Sequence, residues 1–252
     1  MQLIDNPSGN YRFLTGIAPY SAGVTALPGY EIVRAVLARP LPWQDAFDRI
    51  ERHLYSLGRS HSALCAVELR SPAPFSFAGF AAFNGEYQRR LAKWNLLIDG
   101  INPIARTNVA PAVHPPAQPS LYAFSYTRPI DNPDAVRTFI VAGAGDLRDQ
   151  ADLSPAAIVR PGETSAEAMA EKAGAVLAVM QARLFGLGVA WADVSGVGVY
   201  TVQPLHPLLD STLLVSLHEA TSCGIHWHYS RPPIAGLEFE MDLRGVRVEE
   251  RV

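Results

Sequence analysis

Asn102-Pro103-Ile104-Ala105-Arg106-Thr107-Asn108-Val109 sets an arginine at the mouth of a short β-prone run, just after a proline turn. A guanidinium there presents a planar fork of donors that matches a carboxylate through two parallel hydrogen bonds. A surface ion pair is the plainer use of such a residue. A partial echo stands half a chain later in Ala220-Thr221-Ser222-Cys223, which also leads into a strand-like run, with threonine in place of the arginine. The echo implies two halves that are related but not equivalent.

Upstream of this stretch, residues 10–37 read as two strands and a loop. Ala46, Phe47, Ile50, Leu54 and Leu57 then recur at three- and four-residue steps until Gly58, which predicts an amphipathic helix. Residues 63–69 read as a buried strand ended by Pro72 and Pro74. A second helix is expected from about Phe77 to Leu97, with Phe80, Phe83, Tyr87, Leu91 and Trp94 on one stripe. After the Arg106 strand come a proline-rich turn and a strand over residues 121–126.

Residues 129–134 are turn chemistry without hydrophobic period, and the pattern restarts beyond them. A strand over 137–142 runs into Gly143-Ala144-Gly145. A helix begins at Thr164 with Met169, Ala173, Val176, Leu177, Met180 and Leu184 on one face. A strand over 193–202, a full or partial helix over 205–219 and strands over 224–229 and 237–243 complete the order. The fold class expected is α+β, with two lobes, residues 1–129 and 134–252, each a mixed or antiparallel sheet backed by two helices.

A chain of 252 residues with 48% hydrophobic and 18% charged residues can bury a substantial core. Its formal charge of -3 argues against a nucleic-acid binder or a polybasic membrane surface, and favours work on a small molecule. Cys65 and Cys223 are too few for a disulfide framework, and no secretory leader or spanning run is evident, so a soluble cytoplasmic protein is expected. The H-x-E and P-C-x-x-C signature of zinc deaminases is absent. Gly143-Ala144-Gly145 and Gly196-Val197-Gly198 are fragments of phosphate loops at most, and glycines in strands more often mark close backbone approach. His226 and His228 alternate onto one strand face, as a metal pair, an acid-base face or the polar edge of a half-buried strand. Glu238 and Glu240 likewise share a face, where a carboxylate could position water or shuttle a proton.

The same residues carry a resemblance. Ala105-Arg106-Thr107-Asn108-Val109 is similar to the A-R-S-x-V strand of the Rid/YjgF enamine/imine deaminases, and Pro19-Tyr20-Ser21 to an element near their start. Residues 137–143 resemble their strand ending in Ser-Gly, residues 164–202 their long helix and following V-x-V-x-V-Y strand, and residues 237–240 their closing V-E-I-E strand. A double-length chain of this kind further resembles the 2-aminomuconate and 2-amino-5-chloromuconate deaminases of aminophenol and nitroaromatic degradation.

The resemblance implies two Rid-like (chorismate-mutase-like) lobes, a homotrimer of tandem chains, and metal-free, cofactor-free hydrolytic deamination of a small dicarboxylate enamine. It implies Arg106 as carboxylate anchor, Glu238 as water-positioning acid, and Tyr20 and Gly143 as pocket walls, with Thr107, Cys223 and His228 as further substrate contacts. Thr221 replaces the family arginine in the second half, so a non-catalytic carboxylate-binding protein of the same fold is the alternative.

Overall fold

The structure is a computed structural model that describes residues 1–132 and 136–252. In chain order its elements are β1 (Leu3–Asn6), β2 (Tyr11–Leu14), β3 (Gly23–Ala26), β4 (Tyr30–Pro42), α1 (Trp43–Ser56), β5 (Leu64–Arg70), α2 (Phe77–Lys93), β6 (Ala105–Pro111) and β7 (Ser120–Pro129). There follow β8 (Phe139–Gly145), α3 (Ala166–Leu187), β9 (Gly196–Tyr200), short helical turns over 206–223, β10 (Ile225–His228), β11 (Ser230–Arg231), β12 (Glu240–Gly245) and β13 (Val248–Arg251).

The periodic stretches form helices for the reasons legible in them. Ala46, Phe47, Ile50 and Leu54 are the buried face of α1. Ser76 caps α2 by accepting the Gly79 N–H, and Ser165 caps α3 by accepting that of Ala168. Gly188 ends α3 at φ 70°, the left-handed conformation that glycine adopts without strain. The buried stripe of α2 contains one polar residue, Asn84, among Phe80, Phe83, Tyr87 and Leu91.

The strands build two mixed sheets, one in the order β1-β2-β3-β8-β12-β9-β10 and the other β11-β6-β5-β7-β4-β13. Their inner faces meet through Tyr11, Phe13, Ile32, Cys65, Ala66, Ala105 and Ala142. Helices α1 and α2 cover the outer face of the second sheet, with Val33, Phe47, Val67 and Tyr87 in that core. Helix α3 and the turns over 206–223 cover the outer face of the first, with Val141, Met180, Val199 and Leu217 between them. The layers therefore run helix, sheet, sheet, helix.

Sheet membership does not follow the two halves of the sequence. Strands β1 to β3 belong to the sheet of the second half, where Gly23, Val24 and Thr25 pair with Val141, Ile140 and Phe139. In return β13 pairs in parallel with β4 of the first half. Each exchange gives partners to a strand edge that would otherwise present unpaired N–H and C=O groups. Pro133 and Asp134, in the turn where the lobe boundary is expected, lie outside the described residues. No helix among the described residues is long and apolar enough to cross a membrane.

Candidate active site

Arg106 is 3% exposed, so it is not the surface ion pair of the plainer reading. Its Nη2 donates to Asn84 Oδ1 at 2.7 Å, which explains the polar residue in the α2 stripe. Four rings surround the guanidinium, with centroids at 4.6 Å for Tyr20, 4.9 Å for Tyr87, 5.5 Å for Phe80 and 5.7 Å for Phe83. Aromatic faces stabilise a cation but leave its hydrogen-bonding capacity unused. Arg106 makes no ion pair with a carboxylate among the described residues, and its Nη1 is buried without a partner. Burial pulls its pKa below the ordinary arginine value.

Two residues along β6, Asn108 is equally buried; its Oδ1 accepts from Ser71 Oγ at 2.9 Å while its Nδ2 has no partner. Strand alternation puts it on the side of Arg106, and both line one cleft with Tyr20, Phe80, Gly143 and Glu240. An orphaned buried donor costs about 1–3 kcal/mol. Two of them in one cleft mark a place for an acceptor-rich ligand. The water-accessible space between these walls is about 20 Å³, enough for about one water.

Glu240 is the buried carboxyl that lines the cleft. It is 3% exposed, and burial together with the neighbouring Asp242 pushes its carboxyl well above the usual carboxylate range, against the pull of Arg183, Arg106 and Arg70. The carboxyl therefore keeps its proton at pH values where an exposed glutamate has lost it. Asp242 is itself fixed by Thr107 Oγ1 at 2.7 Å and the Tyr200 hydroxyl at 3.0 Å. The glycine fragments acquire a purpose here. A Cβ at Gly143 would collide with Glu240 Oε1, and one at Gly198 with Asp242 Oδ1, so each flanking strand carries a glycine where a carboxyl of β12 lies.

Gly143→Ala should accordingly displace the Glu240 carboxyl, and a misplacement of about 1 Å costs roughly 100-fold in rate. A kcat/KM within threefold of the parent, on a variant with unchanged Tm, would show that the carboxyl does not need this position.

The structure brings Arg106, Tyr20 and Gly143 together and places the other expected residues elsewhere. Glu238 is not in the cleft: its Oε2 accepts from Gln203 Nε2 at 3.0 Å. The reason is local, since Asp146 Oδ1 accepts the N–H groups of both Glu238 and Phe239, holding residues 237–239 out of the strand, and ladder pairing of β12 begins with Glu240 opposite Gly145. Asp146 is in turn anchored by Lys172 Nζ at 2.8 Å, both fully buried. Thr107 alternates to the other face of β6 and meets Asp242. Cys223 folds back on its own turn, its thiol donating to Ala220 O at 3.0 Å. His228 stacks on Tyr200 at 4.8 Å, and burial with Arg70 nearby holds its imidazole down at about 4. Sequence reasoning missed Glu240 as the inward acid, and Asn84, Asn108 and Arg183; Asn84 and Arg183 were detectable as polar residues inside apolar helical stripes.

No group of three or more His, Cys, Asp or Glu side chains converges into a metal-ligand set among the described residues. The cleft instead sets one buried carboxyl in the field of Arg106 and Arg183, which favours anions over cations.

Two packed sheets carrying an unpartnered guanidinium nitrogen, an unpartnered amide nitrogen and a proton-retaining carboxyl in one cleft define an α+β protein with a candidate small-anion site. Residues 3–250 match the family described as 2-aminomuconate deaminase CnbZ, and the chain belongs to that family. It is 42% identical over 237 residues to the 2-amino-5-chloromuconate deaminase of Comamonas testosteroni, covering 94% of each chain. Among solved structures it is similar to a chorismatase, with 12% identity, a TM-score of 0.46 and coverage of 89% of this chain and 77% of that one. It is also similar to a cyanuric acid hydrolase, with 12% identity, a TM-score of 0.40 and coverage of 85% and 67%. Likenesses at that level extend neither to chemistry nor to a shared lobe structure.

Proposed function

We propose that the protein hydrolytically deaminates a 2-aminomuconate-type enamine carboxylate. The observation that carries this reading is the pair of unpartnered buried donors, Arg106 Nη1 and Asn108 Nδ2, lining one cleft with Glu240. A substrate carboxylate satisfies both donors and neutralises the guanidinium. Glu240 then donates its proton to the enamine β-carbon, leaving an electrophilic iminium at the nitrogen-bearing carbon. As water adds to the iminium carbon, the Glu240 carboxylate takes the proton it releases. The carbinolamine nitrogen next receives that proton and leaves as ammonia, while the hydroxyl proton returns to Glu240 as the carbonyl forms. The aromatic walls exclude bulk water from the site.

The names of the family and of the Comamonas testosteroni relative support the substrate class. The same reading takes residues 1–129 and 134–252 as Rid-like halves that exchange β1 to β3 and β13 between their sheets and assemble into a trimer of tandem chains, which sedimentation would test. Ammonia release from 2-aminomuconate by the purified chain after exhaustive chelation is the direct experiment. Turnover at the untreated rate is expected. Tight binding without ammonia would instead select the non-catalytic carboxylate binder.

A further inference from the structure

A cavity of about 290 Å³ adjoins the cleft, between residues 15–22, the loop over 148–151 and the last turns of α3. It shares Tyr20 and Gln150 with the cleft. Its other walls include the apolar Ile17 and Val179 and two arginines, Arg148 and Arg183. Arg183 is 4% exposed; its Nη1 donates to Ala142 O at 2.8 Å and Gly143 O at 3.2 Å, carbonyls just beyond the last pairing of β3 with β8, and its Nε is buried without a partner. Arg148 faces it from the loop, with Nη1 on the carbonyls of Ala156 and Ile158. Neither guanidinium is ion-paired among the described residues, and Asp149 on the rim engages the Ala151 N–H instead.

A partly apolar cavity lined by two guanidinium groups, neither of them ion-paired, suits a carboxylate carried on a hydrocarbon chain. We propose that this cavity receives the second carboxylate of the substrate, through Arg183 and Arg148, while Arg106 and Asn108 hold the first; the inference rests on the deaminase reading of the cleft. Arg183 ties the two together, because the Gly143 carbonyl it binds belongs to the residue that makes room for Glu240. Tyr20 and Gln150 line both, so the two spaces share a wall. Specificity for a dicarboxylate over a monocarboxylate of the same length then resides in the cavity.

The test is competition by two unreactive six-carbon dienes, muconate with two carboxylates and sorbate with one, alongside their direct binding by calorimetry. The parent protein should bind muconate at least about tenfold tighter than sorbate, as expected for one additional charge-assisted pair worth 1.4 kcal/mol or more. Arg148→Ala should remove most of that preference by weakening muconate alone. Ala182→Leu, which fills the cavity from α3 without touching a charge, should do the same. Equal affinity of the parent for both probes, or variants that weaken both equally, would overturn the assignment of the second carboxylate while leaving the cleft reading intact. Failure of both probes to bind would overturn the cleft reading and this inference with it.

Discussion

Arg106→Ala should lower kcat/KM by about 30-fold or more. Removing one partner of a buried, hydrogen-bonded charge pair costs roughly 2–5 kcal/mol, and each 1.4 kcal/mol is tenfold. The loss should reach kcat as well as KM, since the guanidinium also fixes the reacting chain beside Glu240. Arg106→Lys should recover only part of it, because an ammonium lacks the planar fork and matches the four surrounding rings less well. Folding should survive, since alanine removes a desolvated charge with no anionic partner. Unchanged kcat/KM for a folded Arg106→Ala variant would sink the anchor role.

Glu240→Gln should lower kcat by about 10²- to 10⁴-fold, the usual contribution of a positioned proton donor and acceptor. The amide keeps the shape and cannot give up the proton, so KM should move little. A stability measurement separates this from a folding defect. The folded-state pKa of Glu240 is raised above the unfolded value by burial and by Asp242. The folded chain thus holds the proton more tightly than the unfolded one. The stability this contributes is complete below the unfolded glutamate value of about 4.3 and is lost as pH rises through the folded value. Glutamine has no such proton to lose. The variant should therefore unfold at higher temperature than the parent in alkaline buffer, and the two should converge near pH 4, with each kcal/mol relieved worth about 2–4 °C at this chain length. A variant that is inactive and less stable at every pH would show Glu240 to be structural.

The three long helices were legible because a 3.6-residue apolar period over fourteen to twenty-two positions has few other physical uses. The second helix ends at Lys93, earlier than Leu97, since Trp94 to Leu97 pack in a turn that the apolar count cannot separate from helix. Strands β1, β3 and β13 were not anticipated. Each is four residues long, and a segment that short becomes a strand by finding a neighbour, not by its own pattern. Arg106 was legible as a candidate from its place at the head of a β-prone run, whereas Tyr20 and Gly143 entered only through the resemblance; the structure lines one cleft with all three.

The acid was not reachable in that way. Glu238 and Glu240 are two apart, and alternation assigns both to one face; only the capping of two backbone N–H groups by Asp146 and the pairing of Glu240 with Gly145 decide which carboxyl enters the cleft. The sequence by itself determined the α+β class, the helices, and an arginine at the head of a strand, because those follow from local period and turn chemistry. The tertiary structure alone decided which strands exchange between sheets, which glutamate keeps its proton and what the paired glycines are for. Those properties depend on contacts between residues far apart in the chain, where burial and a neighbouring charge, not residue type, set the chemistry.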